Sequence, residues 1–376
     1  MKPRILMASS LHPWNDVRVY HKEALSLAKI AHVRLIAVQA NGAIQRRDAS
    51  IEVEYLPGKW LRDGSGTTIG TRLGRIAIIM RRVLGEKYEI FHFHDPELIP
   101  VGWIAKARGK KVIYDVHEDY KSAWSSREWV PWPVAWLLGA VGRTFEQLSL
   151  HVFDRFILAE PSYNSLFNSE RCLVVQNYHL ATRLSDPAPR PSHQPLKLVY
   201  AGGLTSARGV SDVIEAVRHL RQEGHNVTLD LFGNSMSSDI LAQIGRVPSN
   251  SWLSYHGYVP YPQLMDQLSE YHVGLSPLRD YPNYSRSMPT KMLDYMAAGL
   301  AVVASNLPRT AEIAMDTAGV IMHEPSNMVE IRQCIRALMD EPTRLKLAHS
   351  GSRSIIRYRW GSQEEILLSM YRDLLN

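Results

Sequence analysis

The 376-residue chain has only two cysteines, Cys172 and Cys334, far apart in sequence. Neither a disulfide framework nor a cysteine-type zinc site can be built from them, so a reducing compartment is expected. Long apolar runs are also missing. Stretches such as Val134 to Val141 reach less than half of a membrane span. The apolar run after Met1-Lys2-Pro3-Arg4 is short for a signal sequence, lacks a small-residue cleavage site, and reads as a first buried strand. The expected location is cytoplasmic, at most peripheral on the inner face of the plasma membrane. No GxxxxGK[ST] loop occurs, which excludes a P-loop enzyme. "ILMASSLHPWND" lacks the glycines that a nicotinamide dehydrogenase needs after its first strand. The basic excess is small, with a net charge of +6. It favours an anionic partner such as a phosphate, a nucleotide or an acidic lipid. Nucleic acid is not expected, because no recognised binding motif is present.

What is there alternates between strand and helix. The sequence predicts strands near 4–9, 32–38, 51–56, 90–94, 111–117, 155–160 and 173–177, with helices near 17–29, 67–85, 98–108, 133–151 and 161–168. "KVIYDVH" and "RFILAE" are short and almost continuously apolar, as strands covered on both faces are. The stretch Thr182 to Lys197 then brings four prolines and no periodicity. After it the alternation restarts. The expected organisation is α/β with two doubly wound, Rossmann-like domains: residues 1–181, a linker at 182–197, and residues 198–359. A last helix at about 360–376 is expected to pack back on the first domain. Ligands of such sheets bind at the carboxyl ends of the strands, and the cleft between two domains is the natural site.

Two elements of the second half carry candidate chemistry. "MPTKMLDYMAAGLAVVAS" (Met288 to Ser305) reads as a helix, a glycine stop and a buried strand. Pro289 suits the first helical position, and the N–H groups of Thr290 and Lys291 are expected to point out of the helix start as an anion site. Lys291 adds a full charge, and Asp294 one turn on can accept from a diol. Solvated positions on an amphipathic helix explain the same two charges. "YAGGLTSARGV" places Gly202 and Gly203 after a strand and Arg208 in the following loop. Glycines allow a phosphate close to the backbone and arginine binds it bidentately, although a plain turn has the same glycines.

These segments, with "LFGN", "SYHGYVPYPQLMDQLSEYHVGLSPL", "FHFHDPELIP" and "KKVIYDVHEDY" in this order, resemble family 4 glycosyltransferases. The resemblance covers nearly the whole chain. It implies the GT-B fold, two Rossmann-like domains facing a central cleft, with acceptor binding in the first and nucleotide-sugar binding in the second. It also implies sugar transfer with retention of configuration. By resemblance, Asp294 holds the donor ribose while Lys291 and Arg208 hold the pyrophosphate. The donor site extends over Gly202, Gly203, Gly233, Asn234, Tyr258, Val259, Arg286, Ser287, Met288, Pro289 and Thr290. His117 contacts the donor sugar near the reacting carbon. From their positions in the first domain, Asp16, His94, Asp95 and Glu118 are expected on the acceptor side. Two positions depart from the family pattern: Arg286 stands at its first glutamate, and Gly203 at one of its phosphate cations.

No D-x-D pair occurs, so a metal-dependent transferase is not expected, and neither is a cofactor or metal ion. A metal reading of His92 and His94 is weaker than a structural one. The implied donor is a UDP-sugar, with a GDP-sugar next. The implied acceptor is a glycan or a lipid-linked sugar of a bacterial surface polysaccharide. A GT-B nucleotide-sugar epimerase and an inactive scaffold partner are the alternatives. An anionic membrane is an expected partner through residues 66–84 and 124–141. There Leu73, Ile76, Ala77, Met80, Val83 and Leu84 recur at helical spacing beside Arg72, Arg75, Arg81 and Arg82, and Trp124, Trp129, Trp132 and Trp136 cluster.

Overall fold

The computed structural model describes residues 2–39, 48–58, 68–117, 132–180, 184–189, 194–234, 237–248 and 251–376. The chain divides into two compact units. One holds residues 1–177 and 360–376, the other residues 178–359.

The first unit is built on a parallel sheet of β1 (Arg4–Pro13), β2 (His32–Val38), β3 (Ile51–Leu56), β4 (Ile90–Phe93), β5 (Lys111–Val116), β6 (Arg155–Leu158) and β7 (Cys172–Val174). Its order is β3-β2-β1-β4-β5-β6-β7. The central strands are buried along nearly their whole length, which explains their continuous apolar sequence. Phe91, Phe93, Tyr114, Phe153 and Phe156 fill the core on one face. The last helix, Trp360–Leu375, belongs to this unit. Its Trp360 Nε1–H donates to Ser26 Oγ (3.0 Å), and its Tyr371 hydroxyl meets His92 Nδ1 (2.7 Å).

The second unit repeats the plan with β8 (Leu196–Ala201), β9 (Val227–Phe232), β10 (Leu253–Gly257), β11 (Val273–Ser276), β12 (Ala301–Ser305) and β13 (Val320–His323), ordered β10-β9-β8-β11-β12-β13. In both sheets the winding reverses beside the first strand, between β1 and β4 and between β8 and β11. Doubly wound folds bind ligands at the carboxyl ends of the strands on either side of such a reversal. The Pro-rich stretch belongs to this second unit. Leu184 packs on its core and Ser185 N–H donates to Ala297 O (3.0 Å).

Two local features depart from the sequence expectation. The first helix is a π-helix over Val17–Ala24 followed by one α-turn, Leu25–Ala28. At 3.6 residues per turn, side chains five apart diverge by roughly 140°. The wider π winding brings Arg18 and Glu23 together, with Arg18 Nε 3.0 Å from Glu23 Oε1. The second departure is at the end of β1. Ala8 pairs with Ile36 and Pro13 with Val38, so residues 9–12 swing out opposite a single residue of β2. Bulges of this kind turn side chains away from the ladder.

Candidate functional site

In the second unit the reversal between β8 and β11 carries the candidate donor residues. Gly202 follows β8 with φ +152°, and a Cβ there would lie 2.2 Å from Lys291 Cε. The lysine therefore lies directly over the glycine backbone. Its ammonium sits 3.4 Å from the Tyr200 hydroxyl and 5.0 Å from the centre of that ring. The Tyr200 hydroxyl in turn donates to Gly203 O (2.9 Å). Gly233, at φ +144°, ends β9 so close to Gly202 that a Cβ would meet the Gly202 carbonyl at 1.8 Å. The strand ends are laced together: Gly202 N–H donates to Phe232 O, Gly233 N–H to Gly257 O (both 2.7 Å), and Leu204 N–H to Asn234 O (3.0 Å). Arg208 ends a 3-10 turn and lies over the Tyr284 ring, 5.4 Å from its centre. Tyr258 and Val259, half-buried, follow β10. Glycine, lysine and arginine thus meet at one strand end, as a bound phosphate requires.

The helix that carries Lys291 starts one residue later than its sequence implies. It spans Thr290–Ala297, with Pro289 as its N-cap rather than its first residue. Pro289 has φ −77° and ψ 70°, the geometry of an inverse γ-turn, so Thr290 N–H donates to Met288 O (2.8 Å). The expectation that Thr290 offers its N–H to an anion is corrected. Asp294 is half-buried, and its Oδ1 accepts from the Tyr261 hydroxyl at 2.8 Å. Burial and the adjacent Asp294 carboxylate push that phenol well above its usual pKa. Met288 is buried, Ser287 Oγ donates to Asn283 O, and Arg286 is exposed at the end of the short helix Pro282–Arg286.

The first unit collects charges instead. Arg18 donates to both oxygens of Asp115 (2.9 and 2.8 Å) and to Val175 O (2.9 Å). Arg18, Glu23, His92, His94 and Asp115 are all buried. Burial opposes the charge on Asp115, but Arg18 and His117 outweigh it and hold this carboxyl well below the usual range. Burial and the neighbouring Asp115 push Glu23 the other way, well above the ordinary carboxylate range. Burial lowers His94, and lowers His92 further. Glu23, His92, His94 and Asp115 each bring a ligand atom within 4.8 Å of the others. The guanidinium of Arg18 contacts both Glu23 and Asp115 of this group.

His117, just past β5, is anchored by this cluster. Its Nε2 lies 2.8 Å from Asp115 Oδ2 and 3.2 Å from His94 Nδ1. Asp95 is buried at the end of β4 and holds the excursion of β1, accepting from Ser9 Oγ (2.8 Å), Ser10 N–H (2.6 Å) and Leu11 N–H (3.3 Å). Asp16 caps the π-helix, its Oδ1 accepting from the N–H groups of Arg18 and Val19 (2.9 and 3.1 Å). His94, Asp95 and His117 thus form one group, with His94 and Asp95 behind the surface rather than on it. Glu118 lies outside the described residues. The sequence analysis missed His12, Arg18, Glu23 and Asp115. His12 was findable, since it lies at the carboxyl end of β1 as His117 lies just past the end of β5.

The membrane segments lie partly outside the described residues: 66–67 and 124–131, with Trp124 and Trp129, and the side chain of Trp132. One of the expected surface cations is corrected: Arg75 is buried and donates to Ser10 O (2.8 Å) and Pro57 O (2.9 Å). Arg82 stays partly exposed and pairs with Glu54 (2.8 Å). The helix Trp132–Val152 does expose Trp136, Leu137, Val141, Phe145, Leu148 and Val152. Among the described residues no helix is long and apolar enough to cross a membrane.

Residues 195–341 match the family model described as Glycosyl transferases group 1. A glycogen synthase of Mycobacterium tuberculosis is 24% identical over 217 residues, 55% of this chain and 51% of that protein. The chain thus spans about half the length of the curated relatives it matches. The sucrose-phosphate synthase of Thermosynechococcus elongatus has a TM-score of 0.75 at 15% identity, covering 99% of both chains. HepE of Anabaena, solved in complex with UDP and glucose, has a TM-score of 0.69 at 14% identity and covers 98% of this chain and 99% of its own. These likenesses extend over both units, and they show that the chain has the GT-B fold.

Proposed function

We propose that this protein is a glycosyltransferase. It moves a sugar from a nucleotide diphosphate sugar, a UDP-sugar first and a GDP-sugar second, to the hydroxyl of a glycan or lipid-linked acceptor. The observation that carries the reading is the strand-end cradle of Gly202, Gly203, Gly233, Arg208 and Lys291, inside the segment that matches the glycosyl transferase model. Lys291 and Arg208 stabilise the diphosphate as it leaves, a role that needs no metal ion. Asp294, steadied by Tyr261, accepts from the ribose diol, and Tyr258 and Val259 flank the base. Arg286 supplies the phosphate contact that Gly203 cannot make. Ser287, Met288 and Pro289 line the loop before the helix of Lys291, Thr290 opens that helix, and Asn234 closes the cradle beside Gly233. His117 contacts the donor sugar, Asp16 and Glu118 lie on the acceptor side, and His94 and Asp95 act from behind. Configuration is retained, and the product belongs to a bacterial surface polysaccharide. The exposed apolar face of Trp132–Val152 and the positive net charge fit peripheral binding to an anionic inner membrane face.

Release of nucleoside diphosphate from UDP-glucose and GDP-mannose tests the activity, and proton NMR of the product reads its anomeric configuration. Diphosphate release with retention is expected. A freed, altered nucleotide sugar instead of transfer would make the protein an epimerase.

A further inference from the structure

In the second unit a carboxylate outside the donor residues is tied to the turn that carries Arg208. Asp239 stands in the first turn of the helix Ser238–Gly245. Its Oδ2 accepts from Ser206 Oγ (2.6 Å) and from Ser211 Oγ (2.9 Å). These two serines bracket the arginine. Ser206 opens the 3-10 turn that Arg208 ends, and Ser211 lies in the first turn of the helix Val210–Gln222 that follows. A single oxygen thus joins the chain before Arg208 to the chain after it. Contacts with Ser206 and Ser237 hold this carboxyl below the usual range, so both bonds are charge-assisted.

A helix start favours an acid in any case, and Asp239 would suit that place with no partner at all. The neighbouring backbone, however, serves the same turn. Leu204 N–H donates to Asn234 O, and Ser237 N–H donates to Leu204 O (both 3.0 Å). On the other side, Gly209 has φ +69° and passes so close to the loop after β11 that a Cβ would lie 1.8 Å from Pro277 O. Arg279 of that loop donates its N–H to Ala207 O (3.3 Å). The Arg279 guanidinium also takes Asp212 (3.0 Å), the carboxylate nearest to Arg208 in sequence. Among the described residues no carboxylate pairs with Arg208, whose guanidinium lies on the Tyr284 ring. The turn is therefore fastened from both sides while its cation keeps no acid partner.

We propose that Asp239 is the positioning residue of Arg208: by fastening Ser206 and Ser211 it sets the guanidinium where it meets the diphosphate of the donor. This rests on the transferase reading above, and on the second unit alone. Asp239 itself touches neither donor nor reacting atoms. Loosening the turn leaves the charge of Arg208 in place but spreads its positions. The cost then falls on the diphosphate contact and spares the contacts to base and ribose.

The test measures binding of UDP, or of GDP if UDP does not bind, by calorimetry, and of the parent nucleoside by ligand-detected NMR. Arg208→Ala should weaken diphosphate binding about 30-fold and Asp239→Ala about tenfold, with nucleoside affinity within twofold of wild type in both. The double variant should lose no more than Arg208→Ala alone, the coupling expected when one residue acts through the other. Asp239→Asn, whose amide oxygen can accept from both serines, should regain most of the affinity. An Asp239→Ala protein that binds the diphosphate within twofold of wild type would overturn the assignment and leave the transferase reading standing. Equal losses for nucleoside and diphosphate, or a double variant with fully additive losses, would do the same, since a merely structural role predicts both. A wild type that binds neither UDP nor GDP would overturn the transferase reading and this inference with it.

Discussion

The strand ends of the two units solve opposite problems. The first unit buries Arg18, Glu23, Asp115, His92 and His94 under its strand ends and uses the charges to fix side chains such as His117. The second unit keeps its core apolar there, with Met292, Leu293, Tyr295 and Met296 beneath, and clears its strand ends with glycine so that cations stand over bare backbone. Charge in the first unit is consumed by the fold, whereas in the second, on the function proposed above, it is held for a ligand. Substitution should therefore cost stability in the first and affinity in the second.

The largest expected effect is on the buried network. Arg18→Met leaves Asp115 ionised without its cation, and breaking such a pair costs about 3–5 kcal/mol. Urea unfolding should show this loss in the transition of the first unit. Lys291→Ala should do the reverse: a loss of UDP affinity of about 30-fold or more, near 2 kcal/mol, with a midpoint of unfolding close to wild type. Calorimetry and thermal melting on the same sample separate the two.

Smaller effects sharpen the contrast. Folded Glu23 holds a proton more tightly than the unfolded chain, whose carboxyl titrates at the ordinary value. Its contribution is present below that value and is lost as pH rises toward its own raised one. Asp115 works in the other direction, losing its contribution as pH falls below the ordinary carboxylate range. Glu23→Gln should flatten stability above the ordinary carboxylate range and leave the acid limb intact, as read from urea midpoints across pH. The smallest effect concerns the surface. Leu137→Ser with Leu148→Ser should change stability by about 0.5 kcal/mol or less, yet lower binding to phosphatidylglycerol vesicles by co-sedimentation. Unchanged binding would remove the membrane from the account.

Strands were easy to read from sequence because parallel strands covered on both faces are short apolar runs. Ile90–Phe93 and Ala301–Ser305 declare themselves in this way. The glycine–lysine cradle was legible as a set of residues but not as a contact, since nothing in sequence says that Lys291 lies over Gly202. The γ-turn at Pro289 was hidden because proline suits both the N-cap turn and the first helical position. The charge network was illegible for a different reason. Arg18 and Glu23 are five apart, a spacing that diverges in an α-helix and converges only in the π-helix observed. Asp115 read as one more residue of an apolar strand.

The most direct test of the central claim is a thermal melt of the wild type and Asp294→Ala with UDP, GDP, ADP and dTDP. A nucleotide at 100 times its Kd adds about 2.7 kcal/mol of stability. One diphosphate should raise the wild-type midpoint and fail to raise that of Asp294→Ala. No shift with any of the four would contradict a donor site in the second unit and leave a protein that has the fold without the substrate.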